Sequence, residues 1–297
     1  MKTKFFFLTA LAVALFALTA CSESGDELEG LQPDTEQGDD SGNNNGGDDS
    51  DDPEQGGNSG ENNEGEDPND PEQGDDPGTS SGIPFNEIHY ISADRKVINP
   101  RKKNVFGDGV TILSNTYKNG QGIITFSAPV TTIGESAFYD YYNLTGITIP
   151  NSVKTIGEYA FYRCSLDSIA IPDGVTEIRD GAFAYCESLT SISLPNSVKT
   201  IGIAAFNSCR SLTSISIPDG VTEIRDGAFN NCYSLTHVYC RPATPPSLDW
   251  DVFYYRDDEY YDRPLPVMIY VPRESVATYR TAEGWSNYAD RIVGYDF

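Results

Sequence analysis

Two histidines, six cysteines and a large stock of carboxylates are the groups in this 297-residue chain that could do chemistry. Nucleophilic catalysis wants a Ser or Cys within reach of a base that a third group orients. His89 and His237 fall in no such motif and in no metal motif. His237 occupies a strand position where sister segments carry Ser or Gly, which suits a surface residue. Cys164, Cys186, Cys209 and Cys232 recur every 22 or 23 residues, so a periodic fold stacks them in a line. Zinc needs a tetrahedron, which a line is not. Adjacent members of such a line come within disulfide reach. Their column is that of a small apolar filler, however, and free structural thiols are expected. Cys240 fills another core column, with Cys232 as its conceivable partner. The runs Asp48-Asp49 and Asp51-Asp52 lack the ligand spacing of a calcium loop. Asp173-Gly174 and Asp219-Gly220 are turn pairs, and no two acids are singled out for hydrolysis. The expectation is therefore no catalytic residue, no metal, no cofactor and no enzyme.

Charge narrows the partners. The chain has 45 acids against 20 bases, a net charge of −25. Without a phosphate-neutralising surplus, nucleic acid is not an expected ligand. The imbalance is local. Residues 22–82 hold 21 acids and no Lys or Arg, whereas 83–297 hold 24 acids and 18 bases. The first segment is Asp, Glu, Gly, Asn, Ser, Pro and Gln, with too little apolar surface to offset its ordering entropy, so it is expected to be a disordered linker. Coil statistics give it an end-to-end distance of about 45 Å.

Before the linker, Lys2 and Lys4 precede a 14-residue apolar run, Phe5 to Leu18. That length suits a signal-peptide core better than a membrane span. Leu18-Thr19-Ala20-Cys21 resembles the lipobox of bacterial lipoproteins. The resemblance implies a signal peptide at 1–20, cleavage before Cys21, and lipidation of Cys21 as a membrane anchor. Ser22-Glu23-Ser24-Gly25-Asp26-Glu27 resembles the surface-export tag of some Gram-negative anaerobes. It implies an outer-membrane anchor facing the extracellular side.

Repeats organise the rest. Five units run at 126–148, 149–170, 171–193, 194–216 and 217–239. Each carries Val-x-x-Ile, then Ala-Phe, then Leu-x-x-Ile-x-Ile or Leu, as in Val198, Ile201, Ala205-Phe206, Leu212, Ile215 and Ile217. The last motif alternates in and out as a half-buried strand does, and a Pro ends it. No unit can bury its own apolar face, so stacking is obligatory. The units resemble the BspA-type leucine-rich repeats of bacterial surface lipoproteins, and Leu194 to Ser216 carries that pattern almost throughout. The resemblance implies a leucine-rich repeat solenoid, β-rich and right-handed, built of 23-residue units with N- and C-terminal caps. Asn86 to Tyr90 resembles the opening cap, within 83–125. Residues 240–297 read as a degenerate repeat with about eight inserted residues near Tyr254 to Asp262, then a closing cap. The unit 149–170 is one residue short between Cys164 and Leu166, which should tighten a turn.

Two subtypes alternate. Ile171 to Phe183 is identical to Ile217 to Phe229, and the other type reads Pro-Asn-Ser-Val-Lys-Thr-Ile-Gly. Alternation should set Thr155 and Thr200 beside Glu177 and Glu223, with Lys154 and Lys199 one column over, and so keep Glu off Glu.

Two surfaces are candidate ligand sites. The outward strand positions, such as Thr213, Ser214 and Ser216, form a hydroxyl lawn that ends at Thr236, His237 and Tyr239. Aromatics crowd the insertion at Trp250, Tyr254, Tyr255, Tyr260 and Tyr261, and three tyrosines, Tyr139, Tyr141 and Tyr142, sit near the first unit. The resemblance implies adhesion or protein–protein binding to a host or neighbouring-cell surface protein, with the membrane reached through the lipid. The alternative is a surface glycan-binding accessory protein.

Overall fold

A computed structural model describes residues 82–102, 105–256 and 262–297. The expected signal peptide, Cys21 and the linker through residue 81 lie outside the described residues, as do Tyr260 and Tyr261.

The described chain opens with three strands, β1 (Glu87–Ser92), β2 (Ile112–Lys118) and β3 (Gln121–Phe126). Short and longer strands then alternate: β4 (Thr132–Ile133), β5 (Leu144–Thr148), β6 (Thr155–Ile156), β7 (Ser168–Ala170), β8 (Glu177–Ile178), β9 (Ser191–Ser193), β10 (Thr200–Ile201), β11 (Ser214–Ile217), β12 (Glu223–Ile224), β13 (His237–Cys240) and β14 (Ser247–Leu248). A hairpin of β15 (Tyr254–Arg256) and β16 (Asp262–Pro264) follows, then β17 (Met268–Pro272), helix α1 (Val276–Thr281) and β18 (Ile292–Tyr295). The result is a parallel β-solenoid of about seven turns.

The short strands β4, β6, β8, β10, β12 and β14 stack in parallel in that order. Ile201 lies between Ile178 and Ile224, and Leu248 extends the column to a sixth member. The longer strands pair as β7–β9 and as β11–β13–β17–β18. After β5, β7, β9 and β11 the Pro carbonyl accepts the Val amide three residues on, at 3.0–3.2 Å, for example Val198 to Pro195. Asn-Ser or Asp-Gly fills that turn, because short polar and small residues tolerate its backbone.

The rings confirm the stacking. Phe138, Phe161, Phe183, Phe206 and Phe229 are fully buried and file at centroid spacings of 5.2–5.5 Å, their planes within 11° of parallel. Phe253 adds a sixth ring 5.5 Å beyond Phe229, so Val252-Phe253 takes the Ala-Phe position of the degenerate unit. Phe106 closes the other end, edge-on to Phe138. Backbone bonds accompany the rings: the amides of Phe138, Phe161, Phe183 and Phe206 each donate 2.8 Å to the Ala carbonyl of the next rung.

The four column cysteines are free and buried, but they are more than filler. Each thiol donates to the Phe carbonyl of the preceding rung, Cys164 to Phe138, Cys186 to Phe161, Cys209 to Phe183 and Cys232 to Phe206, at 3.0–3.2 Å. The Phe161, Phe183 and Phe206 carbonyls also accept the Cys amide of their own rung at 3.1–3.2 Å, so the weak thiol donor takes up a second lone pair. In the three later units the Leu amide closes a turn onto the Cys carbonyl at 3.0–3.2 Å. The shorter unit 149–170 omits that turn instead of tightening it.

Subtype alternation appears in the register. Thr200 faces Glu177 on one side and Glu223 on the other. The carboxylates are met by Arg179 and Arg225, two residues along the same run, at 3.3 and 3.7 Å. Gly202 occupies the column of these arginines, and a Cβ there would come within 2.7 Å of the Arg179 carbonyl carbon. Ser136, Tyr159, Gly181, Ala204, Gly227 and Asp251 form another column, all left-handed with φ of 51–60°.

Both ends are sealed. Tyr90 lies flat over Gly122, where any Cβ would overlap its ring, and donates to Asn115 at 2.9 Å. At the far end Trp285 Nε1 donates to the Pro246 carbonyl at 2.8 Å, and the Tyr279 hydroxyl to Pro242 at 2.7 Å. Cys240 sits 3.3 Å from that hydroxyl.

Ala204→Gly removes a left-handed Cβ penalty and raises unfolding free energy by about 1 kcal/mol, whereas Gly202→Ala loses about 2 kcal/mol to the close backbone; urea titration reads both. Burial pushes the thiols of Cys186, Cys232 and Cys240 up to about 12, and those of Cys164 and Cys209 also upward. The folded chain therefore holds protons that the unfolded chain releases above roughly pH 8.5, so stability is full below that value and falls as pH rises towards 12. Urea midpoints measured from pH 7 to 11 check the direction, and the five thiols resist alkylation at pH 8 until urea unfolds the chain.

Candidate binding surfaces

On the longer-strand face, the outward columns from β5 to β11 carry hydroxyls and small side chains, with Asp167 among them. Part of that lawn is spent on the fold. Thr190 donates its hydroxyl to the Asp167 carbonyl at 2.9 Å, and Thr236 to Thr213 at 3.2 Å. These threonines brace neighbouring rungs.

The character changes at the last rungs. Tyr239 pairs with Tyr270 in register, their rings 4.9 Å apart and 15° from parallel. His237 stacks on Tyr270 at 5.8 Å and 7°. Tyr295 stands edge-on to both Tyr239 and Tyr270 at 5.6 Å. Phe297 continues the cluster beside Tyr295, with the Arg241 guanidinium over its ring. Tyr239 is only 2% exposed, so it supports the patch from below. His237, Tyr270 and Tyr295 are half-buried, and Phe297 is exposed. Sequence reasoning reached His237 and Tyr239 but missed Tyr270 and Tyr295. The alternation in Ile269-Tyr270-Val271 was the available signal, but the inserted hairpin shifts the register, so His237 faces Met268, 31 residues on.

The other aromatics separate. Tyr254 and Tyr255 are half-buried and packed on the core, edge-on to Tyr288 and Tyr233 respectively. Tyr139 stacks on Tyr162 at 4.7 Å, and Arg101 lies over Tyr139 and Tyr141. Asp140 sits between Arg101 and Arg163, 3.6 Å from each, so that patch is paired within itself. Trp250, by contrast, is 82% exposed.

Trp250 stands at a groove of about 670 Å³ lined by Leu248, Asp249, Asp251, Glu283, Asn287 and Tyr288 among others. Asp226 lies one rung back, where the Gly227 amide donates to the Trp250 carbonyl at 2.9 Å. Burial, then the charges of Asp251 and Asp249, raise the Asp226 carboxyl above its ordinary range. The sequence offered Trp250 but not these acids, which come together only when the rung and the cap close.

His89 hydrogen-bonds Glu87 at 2.8 Å and has Gln121 at 3.3 Å, a strand-surface arrangement. Among the described residues no three His, Cys, Asp or Glu side chains are grouped to hold a metal, and no helix is long and apolar enough to cross a membrane.

A family model for the BspA type leucine rich repeat region matches residues 111–255 in six copies. A leucine-rich repeat protein from Bacteroides ovatus is 35% identical over 53% of this chain and 38% of its own, with a TM-score of 0.39. The leucine-rich repeat protein of T. pallidum is 41% identical over 39% of this chain and 55% of its own, with a TM-score of 0.38. The pneumococcal vaccine antigen PcpA is 24% identical over 50% of this chain and 40% of its own, with a TM-score of 0.39. The chain thus spans from 38% to 55% of the length of these three structures. No curated protein matches it. The repeats at residues 111–255 are thus BspA-type leucine-rich repeats.

Proposed function

We propose that this protein is a lipid-anchored surface adhesin. Cys21 carries the lipid, residues 22–82 space the solenoid from an outer membrane, and the longer-strand face docks a surface protein of a host or neighbouring cell. The lipobox-like Leu18-Thr19-Ala20-Cys21 and the acidic cluster after it support the anchor and its outward orientation. The match of residues 111–255 to the BspA type leucine rich repeat region supports partner capture. The single observation that carries the docking site is the change from braced hydroxyls to His237, Tyr270 and Tyr295 on the last rungs. Tyrosine combines large contact area with few torsions to freeze, which suits an anchor for protein contact.

A second reading, glycan capture, is favoured by the exposed indole of Trp250, a flat apolar face on which a sugar ring can stack. Beads carrying the full chain, tested against matrix-protein and glycan arrays, separate the two readings. Retention on proteins is expected, and replacing Tyr270 and Tyr295 by Ser lowers it about tenfold while the melting transition persists. Retention that is unchanged in that variant removes the strand face as the site, and signal on glycans alone favours the second reading. For the anchor, Cys21→Ser abolishes acyl labelling and leaves the protein outside the membrane fraction; a variant that still labels rejects Cys21.

A further inference from the structure

The groove at the sixth rung carries chemistry of its own. One wall is the turn from Ser247 to Asp251, and the other is the cap segment from Glu283 to Tyr288. Gly284, at φ +79°, lets the walls meet, because a Cβ there would fall 2.7 Å from the Leu248 carbonyl oxygen. At the lip of the groove Trp250 is the most exposed large apolar side chain among the described residues, and its ring contacts no other aromatic ring among them.

Three features meet around that indole. Asp249 and Asp251 flank it in sequence, Glu283 faces it from the cap, and Asp226 lies one rung back. Burial first, and its acidic neighbours second, disfavour the Asp226 carboxyl as an anion. Among the described residues, none of Asp226, Asp249 and Glu283 has a basic side chain paired with it. A cation relieves the crowding of like charge and at the same time takes the indole face. A neutral sugar would use only the indole, and an anion would be repelled. A single metal ion lacks a ligand set, and the volume far exceeds one ion. A planar guanidinium fits best, because it stacks on an aromatic face and bonds carboxylates in its own plane.

We propose that this groove binds an arginine-bearing segment of a protein partner, with the guanidinium laid on Trp250 and bonded by Asp249 and Glu283. The proposal rests on the reading of the chain as a protein-binding scaffold and gives that partner a second contact, apart from the strand face.

The test uses the two tryptophans. Trp285 is fully buried, so emission that responds to a water-soluble ligand reports Trp250 and ignores cations collected by the acidic linker. The full chain is titrated with the peptide acetyl-Gly-Arg-Gly-Arg-Gly-amide, with its citrulline counterpart, and with laminarihexaose. The expected result is a saturable emission change with the arginine peptide alone, lost in Trp250→Phe. Asp249→Asn and Glu283→Gln each weaken the midpoint about fivefold with far-ultraviolet dichroism unchanged. Equal response to the citrulline peptide, wild-type midpoints in both carboxylate variants, or no response at all overturns the proposal. Response to laminarihexaose alone also overturns it and assigns the groove to sugar. Replacing Tyr270 and Tyr295 by Ser should leave this titration unchanged, so loss of surface capture with an intact titration faults only the strand-face reading.

Discussion

No rung of this solenoid can close its own apolar side, and every other feature answers to that constraint. A unit of about 23 residues has one buried ring, a few aliphatic side chains and two short strands, too little for an independent core. Its neighbours complete it three times over. The short strands give one ladder, the Phe amides and Ala carbonyls a second, and the thiols reach back to the Phe carbonyls as a third. Because each group is satisfied by the rung beside it, the array has to end somewhere on a different chemistry. Tyr90 over Gly122 does this at one end, and Trp285 and Tyr279 on the proline carbonyls do it at the other.

How much of this the bare residues reveal depends on whether a feature is periodic. The Ile, Ala-Phe and Leu columns were readable because the same type returns at a near-constant interval, and the coordinates place them in file. The degenerate sixth unit was also readable, through the length of the gap from Cys240 to Val271, but that Val252-Phe253 takes its Ala-Phe position emerged only from the ring stack. What escaped was whatever depends on a break in period. Tyr270 joins Tyr239 only after a hairpin has shifted the register, and Glu283 meets Asp249 only after the cap has folded back. The thiol bonds escaped for another reason. A pattern of residue types tells which column a sulfur occupies, not which carbonyl its proton finds.

Regularity and function divide along the molecule. The repeated rungs use their threonines to brace one another and their charges to offset one another, so they leave little that would distinguish one partner from another. Distinctive side chains gather where the repeat degrades: His237 with Tyr270 and Tyr295 on one face, Trp250 among acids at another. Loss of sequence period there brings rings and carboxylates together.

Arg225 reaches past the Gly202 rung to lie 3.6 Å from Asp180, two rungs away, and it has that path because glycine leaves the intervening position bare. Over units 149–239 the module is therefore a couplet, one turn with arginine and one with glycine in that column. Adding or deleting a couplet preserves every such span, whereas a change of one turn sets like against like. In lineages that vary the reach of this scaffold, length should step in even counts.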